Sequence, residues 1–153
     1  MVDLKPDQID SFAAELRHES YADAALIREA FATGRSANVS QIDSVWKFDL
    51  FPLRNDAYSR TELGRRTMRA IRPDGREGKQ SEAIECSLAS VEDTVLRKLE
   101  RYRAGVEASE RQWNDLRGVV HAAAGQIDAD YLRRWAVYLQ VEDLLSKLLA
   151  EDR

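Results

Sequence analysis

The chain has 153 residues, 44% of them hydrophobic, and a formal net charge of −4. The negative net charge argues against a protein that coats nucleic acid, so no dedicated DNA binding is expected. A single cysteine, Cys86, excludes an intramolecular disulfide and paired-cysteine metal sites, and it favours a reducing, cytoplasmic setting. No apolar window approaches the roughly 18 residues of a membrane span, so we expect no membrane association.

The first third of the chain predicts two helices followed by two strands. Pro6 stands where a first helical residue should, and apolar residues at helical spacing predict a helix over about 6–18. A second helix is predicted over about 22–32, with Gly34 as its stop. The segments SANVSQID and VWKFDLFPL have the composition of short strands.

Asp49 is the most distinctive residue of the second predicted strand. Alternation along a strand places Trp46, Phe48 and Leu50 on one face, and it places Lys47, Asp49 and Phe51 on the other. A carboxylate among large apolar residues is costly to bury unless it is paired or binds a metal ion. Asp49 is therefore a metal ligand, or a residue at a sheet edge, or a residue paired with Lys47 or an arginine.

The middle of the chain predicts a helix, a turn and one more strand. A helix is expected over 58–66, Pro73-Asp74-Gly75 and Gly78 carry turn signals, and a strand around 83–88 could complete a small sheet. Six arginines form a local basic run that could hold a triphosphate or an RNA backbone, or could simply be a solvated surface. They are Arg60, Arg65, Arg66, Arg69, Arg72 and Arg76.

After Ser90 the sequence predicts helices only. Ser90 is followed three residues later by Asp93, and Ser109 by Gln112, which is the spacing of a helix N-cap. This spacing predicts helices over about 90–104 and 109–124. A third helix is expected to begin at Asp128, and a last short one follows. The predicted organisation is a mixed α/β part over 1–88 and a helical bundle over 89–153.

Two charged residues of the predicted bundle border apolar stripes. Lys98 falls on the stripe of Val91, Val95 and Tyr102, where it could extend its ammonium to the surface or aim it at a phosphate. Asp115 borders the stripe of its own helix and could be solvated, salt-bridged or functional.

Taken together, these segments resemble a known family. The runs VWKFDLFPLRNDAYSRTELGRR, SVEDTVLRKLERYRAG, SERQWNDLRGVV and DADYLRRWAVYLQVEDLL look like the second half of bacterial nucleotidyltransferase-fold proteins related to type IV abortive-infection toxins. The resemblance covers nearly the whole chain. It implies an α+β fold, with a partial nucleotidyltransferase-like mixed sheet and flanking helices, followed by the C-terminal bundle.

The resemblance also implies roles for particular residues. Phe48-Asp49-Leu50 matches the apolar-Asp-apolar strand that supplies the third active-site carboxylate and a metal ligand. Lys98 would contact nucleotide phosphate, and Asp115 would orient that lysine or the acceptor. Lys47, Arg65 and Arg66 are the expected additional nucleotide-binding residues. Intact relatives would use Mg²⁺ and transfer a nucleotide from an NTP to an acceptor such as a tRNA or a protein.

The sequence departs from the family pattern in its catalytic half. It contains neither the Gly-Gly/Ser turn that grips phosphate nor the Asp-x-Asp pair that holds magnesium, so this chain is expected to bind no Mg²⁺ and to be inactive in transfer. Three hypotheses stay open: an enzyme whose natural form starts further upstream, a noncatalytic interaction or regulatory module of a toxin-antitoxin-like system, and a degenerate product. An exposed strand edge would also favour a homodimer or a marginally stable, association-prone monomer.

Overall fold

The computed structural model describes residues 1–72, 83–105 and 109–151, and it shows an α+β chain. The turn signals predicted at residues 73–78, and Arg76 of the basic run, lie outside the described residues. Contacts between Cα atoms divide the chain into two compact units, Met1–Arg60 and Thr61–Arg153. This division falls earlier in the chain than the predicted boundary at residue 88.

The first unit contains two helices and a three-stranded antiparallel sheet. Its elements are α1 (Ile9–Leu16), β1 (Ser20–Tyr21), α2 (Ala24–Ala32), β2 (Ala37–Gln41) and β3 (Lys47–Leu50), with a short 3₁₀ turn at Pro6–Gln8 before α1. The strand order is β1-β2-β3. Both predicted helices and both predicted strands are therefore present, and the two-residue strand β1 is an addition that the sequence did not predict.

The core of the first unit forms between the helices and one face of the sheet. Ile9 of α1, Ile27 of α2 and Ala37 of β2 are buried together. Leu50 of β3, which lies directly opposite Ala37 in the sheet, packs against this cluster. Helix α2 is capped at its start by Asp23, whose carboxylate accepts hydrogen bonds from the backbone amides of Ala25 and Leu26. It ends before Gly34, which has a φ of 69°.

The second unit contains a β-hairpin and four helices, and α3 runs into it from the first unit. The elements are α3 (Ala57–Arg65), β4 (Thr67–Ile71), β5 (Ile84–Leu88), α4 (Val91–Ala104), α5 (Glu110–Ala122), α6 (Ala129–Tyr138) and α7 (Glu142–Glu151). The strand predicted around 83–88 is β5, and it completes a small sheet. Its partner is β4, which the sequence did not predict, and the two strands form a separate antiparallel sheet, not part of the mixed sheet that the resemblance implies.

The four C-terminal helices pack around an apolar centre, as the sequence predicted. α4 contacts α5 and α6, and α7 contacts both α5 and α6. The fully buried side chains at this centre include Leu96 and Leu99 of α4, Leu116 of α5, Leu132 of α6 and Leu148 of α7. Apolar residues at helical spacing thus form one bundle core.

Helix starts in the bundle have the capping geometry that their sequences indicate. The Ser90 hydroxyl accepts a hydrogen bond from the Asp93 amide at 3.1 Å, and the Ser109 hydroxyl accepts one from the Gln112 amide at 3.3 Å. The Asp128 carboxylate accepts one from the Tyr131 amide at 2.9 Å. Each bond satisfies a donor that the first turn of a helix leaves without an intrahelical partner.

Candidate functional site

Asp49 and Lys47 lie on β3 in the first unit. β3 stands at one end of the strand order, and both side chains are exposed. Directly across the ladder, Asp49 faces Asn38 and Lys47 faces Ser40, so this face of the hairpin is polar. Asp49 therefore occupies the sheet-edge position, one of its predicted alternatives, with its side chain exposed.

The surroundings of Asp49 do not complete a magnesium site. Within the described residues no group of three or more His, Cys, Asp or Glu side chains is placed to hold a metal ion. The cross-strand neighbour of Asp49 is the amide side chain of Asn38, and Lys47 on the same face adds a positive charge. One carboxylate is too little for the two-metal arrangement that the resemblance implies, so we derive no metal-dependent step.

Lys98 and Asp115 meet in the second unit. The Lys98 ammonium on α4 lies 3.7 Å from the Asp115 carboxylate on α5. They meet because α4 and α5 pack against each other. Gly105 caps the end of α4, and Ser109 caps the start of α5. Side-chain exposures of 38% and 54% make this a solvated ion pair that contributes little to stability. The pair thus leaves the ammonium accessible to a ligand.

A pocket of about 410 Å³ opens beside this ion pair. Its walls come from α4, the Ser109 cap and the first turns of α5. The lining residues are Lys98, Arg101, Ser109, Arg111, Gln112 and Asp115. Three cationic side chains and one carboxylate therefore surround it, and the start of α5 adds the partial positive charge of a helix N-terminus. This arrangement favours an anion.

Arg101 and Arg111 were not among the predicted site residues, although helical spacing could have indicated them. Arg101 follows Lys98 by three positions on α4, and Arg111 precedes Asp115 by four on α5. Residues three or four apart share a helix face. Once Lys98 and Asp115 are candidates, this spacing places both arginines beside them.

Arg65 lies at the end of α3 and is engaged by protein groups. Its guanidinium is 3.2 Å from the Glu92 carboxylate and 3.4 Å from that of Asp93, and its carbon atom lies 3.8 Å from the centre of the Tyr131 ring. The Tyr131 hydroxyl donates to Asp93 at 2.7 Å. We call Arg65, Ser90, Glu92, Asp93 and Tyr131 the buried polar cluster.

The environment of this cluster changes the acidity of two members. Burial would raise the pKa of Glu92, but hydrogen bonds from the Asp128 amide and from Ser90, with the charge of Arg65, lower this pKa below its usual value. Burial and the hydrogen bond to Asp93 raise the pKa of Tyr131 well above its usual value. Glu92 is thereby held charged and Tyr131 is held neutral.

Two further arginines of the basic run, Arg66 and Arg69, differ from Arg65. Arg66 follows α3 and is exposed, and Arg69 lies in the middle of β4, also exposed. The nucleotide-binding role expected of Arg65 would require it to leave its carboxylate partners, whereas Arg66 has a solvent-facing side chain. The described arginines of the basic run therefore do not share one element, because Arg60 and Arg65 lie on α3, Arg66 follows α3, Arg69 lies on β4 and Arg72 follows that strand.

A scan against protein-family models, a search of curated proteins and a search of solved structures each found nothing that matches this chain. Within the ranges that the structure describes, none of the helices has the length and apolar character needed to cross a membrane.

Proposed function

We propose that this chain is a nucleotidyltransferase-like module that binds a nucleoside triphosphate through the pocket at Lys98 and does not itself transfer the nucleotide. The observation that carries the proposal is the position of the Lys98–Asp115 ion pair, 3.7 Å long, on the wall of a pocket that Arg101 and Arg111 also line. The resemblance of the sequence to nucleotidyltransferases supplies the ligand class.

The charge and size of the pocket support a polyphosphate ligand. A triphosphate carries several negative charges, and Lys and Arg bind phosphate by charge-assisted hydrogen bonds. A volume of about 410 Å³ is within the usual range for small-molecule sites. In the absence of a ligand, Asp115 balances part of the positive charge of the pocket. Its ion pair with Lys98 also holds the lysine side chain at the pocket wall.

Lys98→Met tests the binding part of the proposal. The substitution keeps the apolar stem and removes the charge, and it should weaken binding of ATP or CTP by roughly tenfold, the effect of one charge-assisted hydrogen bond. Isothermal titration calorimetry with Mg²⁺ present measures this change. Lys5→Met is the matched control, because Lys5 also forms an ion pair, with Asp3, outside the pocket. Equal affinities for both variants, or no binding by the unsubstituted chain, would contradict the proposal.

Incubation with a labelled NTP, Mg²⁺ and tRNA tests the catalytic part. We expect no label on the protein or the RNA, because the given sequence contains neither the phosphate-gripping turn nor the Asp-x-Asp pair of the family. If the unsubstituted chain produced label and the Asp49→Ala variant did not, this expectation would be overturned and Asp49 would be a catalytic carboxylate.

The alternative is a noncatalytic interaction module, and the β4–β5 hairpin favours it. Met68 and Ile84 are apolar yet 60% and 56% exposed. Apolar side chains on an exposed strand pair suit a protein contact better than a catalytic role. Recovery of the same binding partners by Lys98→Met, the variant with weakened nucleotide binding, would separate this function from the first.

A further inference from the structure

The β4–β5 hairpin is exposed along nearly its whole length. Of its ten residues only Cys86 is partly buried, and the large apolar side chains Met68, Ile71, Ile84 and Leu88 are 40–60% exposed. The two strands form a sheet of their own. Isolated two-stranded hairpins are marginally stable in water, because they lack a face on which to bury apolar area.

The two outer edges of this hairpin differ in how they could pair with a second copy. Antiparallel pairing of β5 about its central residue sets Cys86 opposite Cys86, Ile84 opposite Leu88 and Glu85 opposite Ser87 of the second copy. No like charges oppose each other in that register. The same pairing of β4 sets Arg69 opposite Arg69, which is unfavourable.

Other registers of β5 are less favourable. A shift that centres the pairing on Glu85 sets two carboxylates opposite each other, and one centred on Ser87 leaves Ile84 without an opposing residue of the strand. The register about Cys86 pairs all five residues. In this register the apolar contact also extends across three strands, because Ile84 pairs with Ile71 within the hairpin and with Leu88 of the second copy.

We infer that β5 is a homodimer interface, at which two copies pair antiparallel about Cys86 to form a four-stranded sheet in the order β4-β5-β5-β4. Backbone hydrogen bonds satisfy the outer edge of β5, and Ile84 of each copy packs against Leu88 of the other. Three strands or more with an apolar face meet the usual requirement for a stable sheet.

A charge-exchange experiment tests this register. Ile84→Lys with Leu88→Lys sets like charges opposite each other and removes the apolar contact, so the dimer should weaken by roughly tenfold or more. Ile84→Lys with Leu88→Glu sets opposite charges across the interface and should restore much of that loss. Sedimentation velocity over a concentration series, under reducing conditions, measures the dissociation constants.

The matched control places the same charges on the other strand. Thr67→Lys with Ile71→Lys alters β4 at the positions paired with Leu88 and Ile84, all of them exposed, and the dimer should persist. Circular dichroism checks that each variant keeps its helical bundle. A monomeric unsubstituted chain, or equal effects of the two Lys-Lys variants, would overturn the inference.

Cys86, the one cysteine of the sequence, provides a second readout. Cα atoms of directly opposed strand residues lie about 4.5–5.5 Å apart, within the range that a disulfide spans. Under mild oxidation, two copper(II) phenanthroline complexes each accept one electron, the two Cys86 thiols release two protons, and the disulfide that forms should convert the protein into a covalent dimer. The Ile84→Lys, Leu88→Lys variant should cross-link at least several-fold more slowly. Equal rates would contradict pairing at β5.

Discussion

Asp93 is a fully buried carboxylate, and three donors account for its position. Its Oδ1 accepts from the Tyr131 hydroxyl at 2.7 Å, and its Oδ2 accepts from the Ser90 hydroxyl at 2.8 Å and from the Arg65 guanidinium at 3.4 Å. A buried charge of this kind is tolerated only when it is paired and hydrogen-bonded. The buried polar cluster therefore links α3, α4 and α6 and has a structural role.

Tyr131→Phe tests the contribution of one donor to this cluster. The change keeps the ring that Arg65 covers and removes the hydroxyl, so the buried Asp93 loses one of its hydrogen bonds. We expect a loss of about 1–3 kcal/mol in the free energy of unfolding, measured by urea titration at neutral pH. Tyr138→Phe, at a tyrosine that is 51% exposed, should change stability by less than about 0.5 kcal/mol. Equal effects would argue against a structural hydrogen bond at Tyr131.

Asp115→Asn separates two roles for the carboxylate beside Lys98. The substitution removes a negative charge from the proposed phosphate pocket, and a unit charge about 4 Å away interacts by about 1 kcal/mol in water. Triphosphate affinity should therefore rise about fivefold, as measured by calorimetry. Asp130→Asn is the control, since Asp130 pairs with Arg133 outside the pocket. Lower affinity in Asp115→Asn would instead mean that orientation of Lys98 dominates.

At the scale of elements, the helix caps differ in what they stabilise. The Ser90 hydroxyl caps α4 and also donates to the buried Asp93, whereas the Ser109 hydroxyl makes a longer, exposed cap bond to α5. Ser90→Ala should cost about 2 kcal/mol of unfolding free energy, and Ser109→Ala about 0.5–1 kcal/mol. Thermal denaturation of both variants checks the order. A Ser109→Ala variant that is the less stable of the two would contradict this explanation.

Elements with strong local signals were predictable, and the strands that depend on partners were not. Pro6, Ser90, Ser109 and Asp128 mark helix starts by chemistry within one turn, so those helices lie close to their predicted positions. β4 was missed because its alternation of polar and apolar residues covers only Thr67 to Ala70 and is broken at Ile71, which is too short a pattern to predict a strand. Only its pairing with β5 defines it as a strand.

At the scale of the whole molecule, the buried polar cluster should give stability that falls at both ends of the pH range. The pKa of Glu92 is lowered in the folded state, so its contribution is present above the usual value of 4.5 and is lost as the pH falls below it. The pKa of Tyr131 is raised, so its contribution is present below the usual value of 10.0 and is lost as the pH rises above it.

Two variants separate these opposite dependences. Glu92→Gln should make stability fall less steeply on the acid side and leave the alkaline side unchanged, and Tyr131→Phe should do the reverse. Each variant serves as the control for the other. Urea unfolding at pH 3.5, 7 and 10.5, values chosen on either side of the two usual pKa values, measures both slopes. Identical slopes in both variants would show that other groups determine the pH dependence.

The sequence by itself determined the α+β class, the helical bundle and most helix limits, because periodicity and capping act over a few residues. It also indicated Lys98 and Asp115, which a pair of adjacent helices then brings to 3.7 Å. Only the tertiary structure decided that Asp49 is exposed on an edge strand, that Arg65 pairs with Glu92 and Asp93, and that β5 pairs with β4 in a sheet of its own. Those outcomes depend on contacts between residues far apart in the chain, which local spacing does not specify.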